Sequence, residues 1–119
     1  VEVYEGLEKA LDVIKEERNW CQNVVTEERD HGFAYCAVGA LGIACGGPNY
    51  CRAANALVAA ARRRGFKTHI DLNNETDHAT TVSMFQGAIR AEKQKAGISL
   101  DLPSPQPDEK TEDRTEVAV

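Results

Sequence analysis

Cys36, His69 and Asp71 are the residues of this 119-residue chain whose types and placement would suit covalent catalysis. Cys36 falls at the head of a predicted helix over residues 34–45, where the positive end of the helix dipole lowers a thiol's pKa. His69 and Asp71 stand two residues apart on a predicted extended segment, so they share one face of it. A thiol at a helix head, an imidazole on a strand and a carboxylate to orient it is the layout of cysteine-dependent hydrolases and transferases. The competing reading is that Cys36 is a small buried hydrophobe, as free cysteines commonly are. The sequence favours that competitor, because it offers few strands to support a catalytic site.

Three further groupings carry polar chemistry. Cys21, Cys36, Cys45 and Cys51 are spaced by 15, 9 and 6 residues, which matches no paired-cysteine zinc pattern. With His31, His69 and His78 they form no tight ligand pair, so no metal site and no cofactor is expected. Cys45 and Cys51 flank a Gly-Gly-Pro turn and would pair only under oxidising conditions. The turn Asn73-Asn74-Glu75-Thr76-Asp77-His78 is dense in donors and acceptors. Ahead of a helix it reads either as a cap and turn or as a site for an anion or a peptide group. Arg62, Arg63 and Arg64 close a predicted helix, where the dipole favours cations; the alternative is contact with a phosphate, an acidic partner or the chain's own acidic C-terminal segment.

Charge is unevenly spread. Residues 1–30 carry nine acids and four bases, residues 31–100 four acids and eight bases, and residues 101–119 six acids and two bases. The formal charge of −5 argues against nucleic acid as a partner, since phosphate binding needs a basic footprint. No run of residues approaches the ~20 apolar positions of a membrane span, and no basic-then-apolar leader opens the chain. A cytoplasmic setting with reduced thiols is the expectation.

The elements that must position these groups are mostly helical. With aromatics at 6%, the core must be built from Ala, Val, Leu and Ile. Tyr4, Leu7, Leu11 and Ile14 recur at helical spacing and predict a first helix ending near Arg18 or Asn19. Trp20, the only tryptophan, is expected to plug the base of the core. Val24 and Val25 suggest a short strand or a turn of irregular chain, and residues 27–32 read as a loop. Residues 34–45 lack polar side chains on every side and predict a central, fully surrounded helix, with Gly39 and Gly42 admitting a close neighbouring helix. Residues 49–64 predict a third helix with Tyr50, Ala54, Leu57, Val58 and Ala61 inward. Residues 66–72 alternate and predict an extended segment. Val82, Phe85 and Ile89 stripe a last helix capped by Asn74, Thr76 or Thr80. The fold expected is all-α: about four helices over residues 1–100. Residues 101–119, rich in proline and acids, are expected to be a flexible tail.

Trp20, the Cys36–Leu41 segment CAVGAL, Leu72-Asn73-Asn74 and the Thr80–Ile89 segment TTVSMFQGAI occur in an order that resembles a family of uncharacterised small proteins from actinobacteria and their phages. The resemblance spans roughly residues 7–92. It implies a mostly helical fold and supplies no activity. Asn74 stands where the family pattern tends to carry Asp.

The function expected from these features is that of a non-catalytic accessory protein that binds another protein, since segregated charge suits recognition. The alternatives are the Cys36–His69 enzyme and an acidic inhibitor of a nucleic-acid enzyme, imitating phosphates with first-helix carboxylates and the C-terminal acids.

Overall fold

A computed structural model describes residues 2–97. The predicted tail, residues 101–119, lies outside the described residues. Helix α1 (Val3–Ile14) opens where the Glu2 amide donates to the Glu5 carboxylate at 2.8 Å, and it buries Leu7, Ala10 and Ile14, with Tyr4 and Leu11 half-buried beside them. It ends four residues earlier than its charged continuation suggests. A 3-10 turn at Glu17–Asn19 then delivers Trp20 to the core.

Two antiparallel strands follow, β1 (Thr26–Arg29) and β2 (Gly32–Tyr35), in register Thr26 with Tyr35 through Arg29 with Gly32. This corrects the loop expected at residues 27–32 and shortens the expected second helix by its first residues. Strand β1 is polar at every position and β2 is Gly-Phe-Ala-Tyr, so neither alternates between polar and apolar residues. Gly32, at φ 136°, supplies the positive φ that the tight Asp30-His31 connection needs.

Helix α2 (Ala37–Ala44) is entered from Cys36, and α3 (Gly47–Arg63) starts two residues after it ends, with Pro48 in its first turn. Helix α2 is not surrounded along its whole length. Ala37, Gly39, Ala40 and Leu41 are buried, but Gly42 and Ile43 face outward. A uniformly apolar sequence has no direction written into it, so only packing reveals which turn is left open. The glycines also act differently from expectation. A β-carbon on Gly39 would collide with the Val25 carbonyl oxygen, so the close neighbour is the chain entering β1, not a helix; at Gly42 nothing lies within 4 Å. The close helix–helix approach occurs instead at Gly6 of α1, where a β-carbon would meet the Cys45 Sγ at 2.6 Å.

The segment expected to be extended is the helix α4 (His69–Glu75), which corrects the strand predicted over residues 66–72. The Thr68 hydroxyl caps it by accepting from the Asp71 amide at 3.2 Å. Its inward face is His69, Leu72 and Asn73, a helical i, i+3, i+4 set, while Ile70 is exposed. Helix α5 (His78–Lys95) is capped by Asp77, whose carboxylate accepts from the Thr80 amide at 2.8 Å, and not by Asn74, Thr76 or Thr80. It buries Thr81, Met84, Phe85 and Ala88. Among the described residues the fold is five α-helices and one hairpin, mostly helical as expected, with α1 packed on α2, α3 and α5 and one main core running through all five helices.

Candidate functional site

The three residues of the catalytic reading are not joined. Cys36 sits at the N-cap of α2, its side chain buried with Cys21, Ala34 and the half-buried Val38. Its amide donates to the Val25 carbonyl at 3.2 Å. His69 lies in the first turn of α4 and is 6% exposed. Neither of its ring nitrogens has a hydrogen-bond partner, so it bonds to neither the Cys36 thiol nor the Asp71 carboxylate. Burial alone pulls its pKa below the ordinary histidine value. Among the other thiols, burial pushes Cys21 and Cys45 upward, with the charges of Cys36 and Glu27 adding at Cys21 and Lys9 opposing at Cys45. All four cysteines are free. No three His, Cys, Asp or Glu side chains converge as metal ligands among the described residues.

The polar turn, by contrast, is drawn together into one hydrogen-bonded cluster. The Asn73 side chain is buried at its centre. Its Oδ1 accepts from the Trp20 indole Nε1–H at 2.8 Å and from the Ala37 amide at 3.0 Å. Its Nδ2 donates to the Cys21 carbonyl and to Asn74 Oδ1, both at 3.1 Å. Ala37 is the first residue of α2, whose own N-cap side chain makes no capping bond, so Asn73 caps α2 from another helix. Asn74 Oδ1 also accepts from the Asn23 amide at 2.8 Å. Gln22 Nε2 donates to the carbonyls of Asn73, Asn74 and Thr76, the last at 2.7 Å. Those carbonyls include the end of α4, so the loop after Trp20 caps α4 while α4 caps α2. The Thr76 hydroxyl is turned back onto the Leu72 carbonyl. His78 Nε2–H donates to the Ile14 carbonyl at the end of α1, and its ring lies 5.6 Å from that of Trp20.

The residues the turn reading selected are therefore occupied by hydrogen bonds within the fold. Asn73, Asn74, Thr76, Asp77 and His78 hold α1, α2, α4 and α5 in register, together with Trp20. Gln22 and Asn23 are the members that the sequence reading missed. Asn23 carries a signal, because it occupies φ 70°, a conformation Asn tolerates better than most residues. Gln22 carries none, since its three acceptors come from residues about fifty positions away.

The arginine cluster is divided. Arg62 Nε donates to the Lys67 carbonyl at 3.1 Å and closes the turn after α3, and Arg64 Nη2 donates to Ser83 Oγ at 2.7 Å and ties α3 to α5. Arg63 is exposed. On α1, Glu8 is paired with Lys93 at 3.0 Å, which interrupts any row of free carboxylates there. Two depressions border the α1 N-terminus. One, of about 200 Å³, is lined by Glu2, Tyr4, Glu92 and Lys95; the other, of about 160 Å³, by Gly6, Lys9, Cys45 and Asn49. Both fall below the roughly 300 Å³ at which small-molecule sites begin. Neither includes Cys36, His69 or Asn73.

The large apolar side chains exposed among the described residues are Val24 and Ile70, each by about half, Val25 at 56%, Phe33 at 54% and Ile43 at 61%; all but Ile70 of α4 lie in or next to the hairpin and α2. The Phe33 and Tyr35 rings are 6.5 Å apart. Tyr35 Cδ1 and Val25 Cγ1 each approach to 3.2 Å of the place a Gly39 β-carbon would occupy. Ile43 follows Gly39 by four residues, one turn on along the same face of α2. Phe33, Tyr35, Val25 and Ile43 thus form a band from the hairpin to the open end of α2. No helix of the described residues is long and apolar enough to cross a membrane.

No curated protein and no solved structure matches the chain. Residues 1–95, which include the hairpin, the Asn73 cluster and all five helices, match a family of unknown function (DUF6197), and the chain belongs to that family.

Proposed function

We propose that this is a non-catalytic accessory protein, of actinobacterial or phage origin and acting in the cytoplasm, that works by binding another protein. The observation that carries this reading is the outward band of Val25, Phe33, Tyr35 and Ile43. Scattered exposed apolar residues are ordinary, but a connected run that continues from a strand onto a helix is the character of an interaction surface. Two further features support it. The polar residues that resembled a ligand site are occupied with internal hydrogen bonds. The thiols are free, as suits a reducing compartment.

The test is co-sedimentation of the purified chain with lysate of an actinobacterial host, beside the Phe33→Ser and Ile43→Ser variants. The reading predicts that the wild-type chain moves into a heavier species and that both variants stay at the position of the free protein. Wild type and variants that sediment alike would contradict it.

A further inference from the structure

From the electrostatics around the apolar band we infer the class of its partner: a segment of a different protein in which apolar side chains alternate with Lys or Arg. This inference rests on the binding reading above and adds the chemistry of what binds.

The hairpin end of the band is acidic. Glu28 is the cross-strand partner of Phe33, so the two side chains emerge on the same face as neighbours. Asp30 sits in the connection next to them. Of the hairpin's acids, Glu27 is paired with Arg29 at 2.7 Å, and Glu16 before it with Arg18 at 3.1 Å. Glu28 and Asp30 take part in no ion pair among the described residues. The other end is uncharged. Ile43 is exposed in the last turn of α2, which contains no acidic or basic residue, and the N-terminus of α3 follows directly after Cys45 and Gly46. Lys9 of α1 stands near Cys45, but in the depression lined by Gly6 on the side where α1 packs.

An apolar band bordered by unpaired carboxylates selects an occupant that brings apolar and basic side chains together. The band itself carries no Lys or Arg, so a second copy docked band to band brings no cation from it to Glu28 and Asp30. An anionic membrane surface would be repelled by them. A basic, amphipathic protein segment meets the carboxylates and covers Phe33, Val25 and Ile43.

The experiment is to pan a displayed library of short random peptides against the immobilised full-length chain. The enriched peptides are then synthesised and titrated by fluorescence anisotropy against wild type, Phe33→Ser, Ile43→Ser and Glu28→Arg. Far-UV circular dichroism confirms that each exposed-site variant folds. The expected peptides interleave apolar residues with Lys and Arg. Their affinity should fall by about tenfold or more in Phe33→Ser and Ile43→Ser. In Glu28→Arg it should fall several-fold at low salt, and the difference should vanish near about 0.5 M salt. Enriched peptides that lack basic residues yet lose affinity in Phe33→Ser would overturn the partner class and leave the binding reading standing. A concentration-dependent dimer of the chain, abolished by Phe33→Ser, would overturn it in favour of a second copy. No enrichment, or peptides that bind all variants alike, would overturn the partner class and the binding surface together.

Discussion

Two regions of this molecule exchange the roles their compositions suggest. The turn around Asn73 is crowded with amide, hydroxyl, carboxylate and imidazole groups, and its amides point inward. The run around Gly39 is wholly apolar, and one end of it faces water. The difference shows that polarity alone does not mark a surface: a buried polar side chain with four partners is part of the framework, while an apolar one that nothing covers is open for use.

That contrast can be broken at several strengths. The largest effect is expected for Asn73→Leu. It leaves the Trp20 indole, the Ala37 amide and the Cys21 carbonyl without their partner in a buried setting. A loss of about 3–5 kcal/mol follows, read from urea denaturation. A loss below about 1 kcal/mol would mean that water reaches the cluster. Gly39→Ala comes next. Its methyl group would meet the Val25 carbonyl, and displacing that backbone should cost about 1–3 kcal/mol.

His69 gives a smaller, pH-dependent effect. Its folded-state pKa is depressed by burial, so the native state holds the neutral ring and the unfolded chain binds the proton more readily. Stability is therefore intact above about pH 6.5 and declines as pH falls below it, by at most about 1.4 kcal/mol per unit. Thermal unfolding scans should show the decline in wild type and a reduced one in His69→Leu. At pH 7.5 that variant should be no less stable than wild type, because the ring nitrogens it removes have no partners. The smallest effect is Gly42→Ala, which should stabilise by about 0.5–1 kcal/mol, since its added methyl group meets nothing within 4 Å. Opposite signs for two glycines three residues apart would confirm which side of α2 the hairpin covers.

The long helices were legible because their apolar residues repeat at helical spacing. Leu7, Ile14, Leu57, Ala61 and Phe85 lie in the core as their spacing predicts, while Tyr50, Ala54, Val58, Val82 and Ile89 are only half-buried, because the stripes of α3 and α5 are turned toward Ala53, Ala56, Ala60, Met84 and Ala88. Helix α4 was hidden because two of its three inward residues, His69 and Asn73, are polar, while the apolar Ile70 beside them is exposed. A reading based on hydrophobicity sees the wrong face. Thr68 followed three residues later by Asp71 was the available signal, a capping pattern written in polar residues. The hairpin was hidden because β1 is Thr-Glu-Glu-Arg, solvated on both faces, and its pairing lies in the backbone. Asn73 stands out in the sequence only as part of a polar turn, and Trp20 and the Cys36 segment stand far from it; their meeting spans over fifty residues of sequence and only the fold reveals it. The apolar band was illegible for the opposite reason: Phe33, Val25 and Ile43 have the composition of a core.

The central claim is that the Asn73 cluster is closed to solvent and serves the fold. Hydrogen exchange of the Trp20 indole proton, followed by NMR, tests it most directly. The account predicts that this proton exchanges only on global unfolding, as slowly as the core amides of α1 and α5. Exchange as fast as that of a free indole would contradict it and return the Asn73 turn to the surface as a binding site.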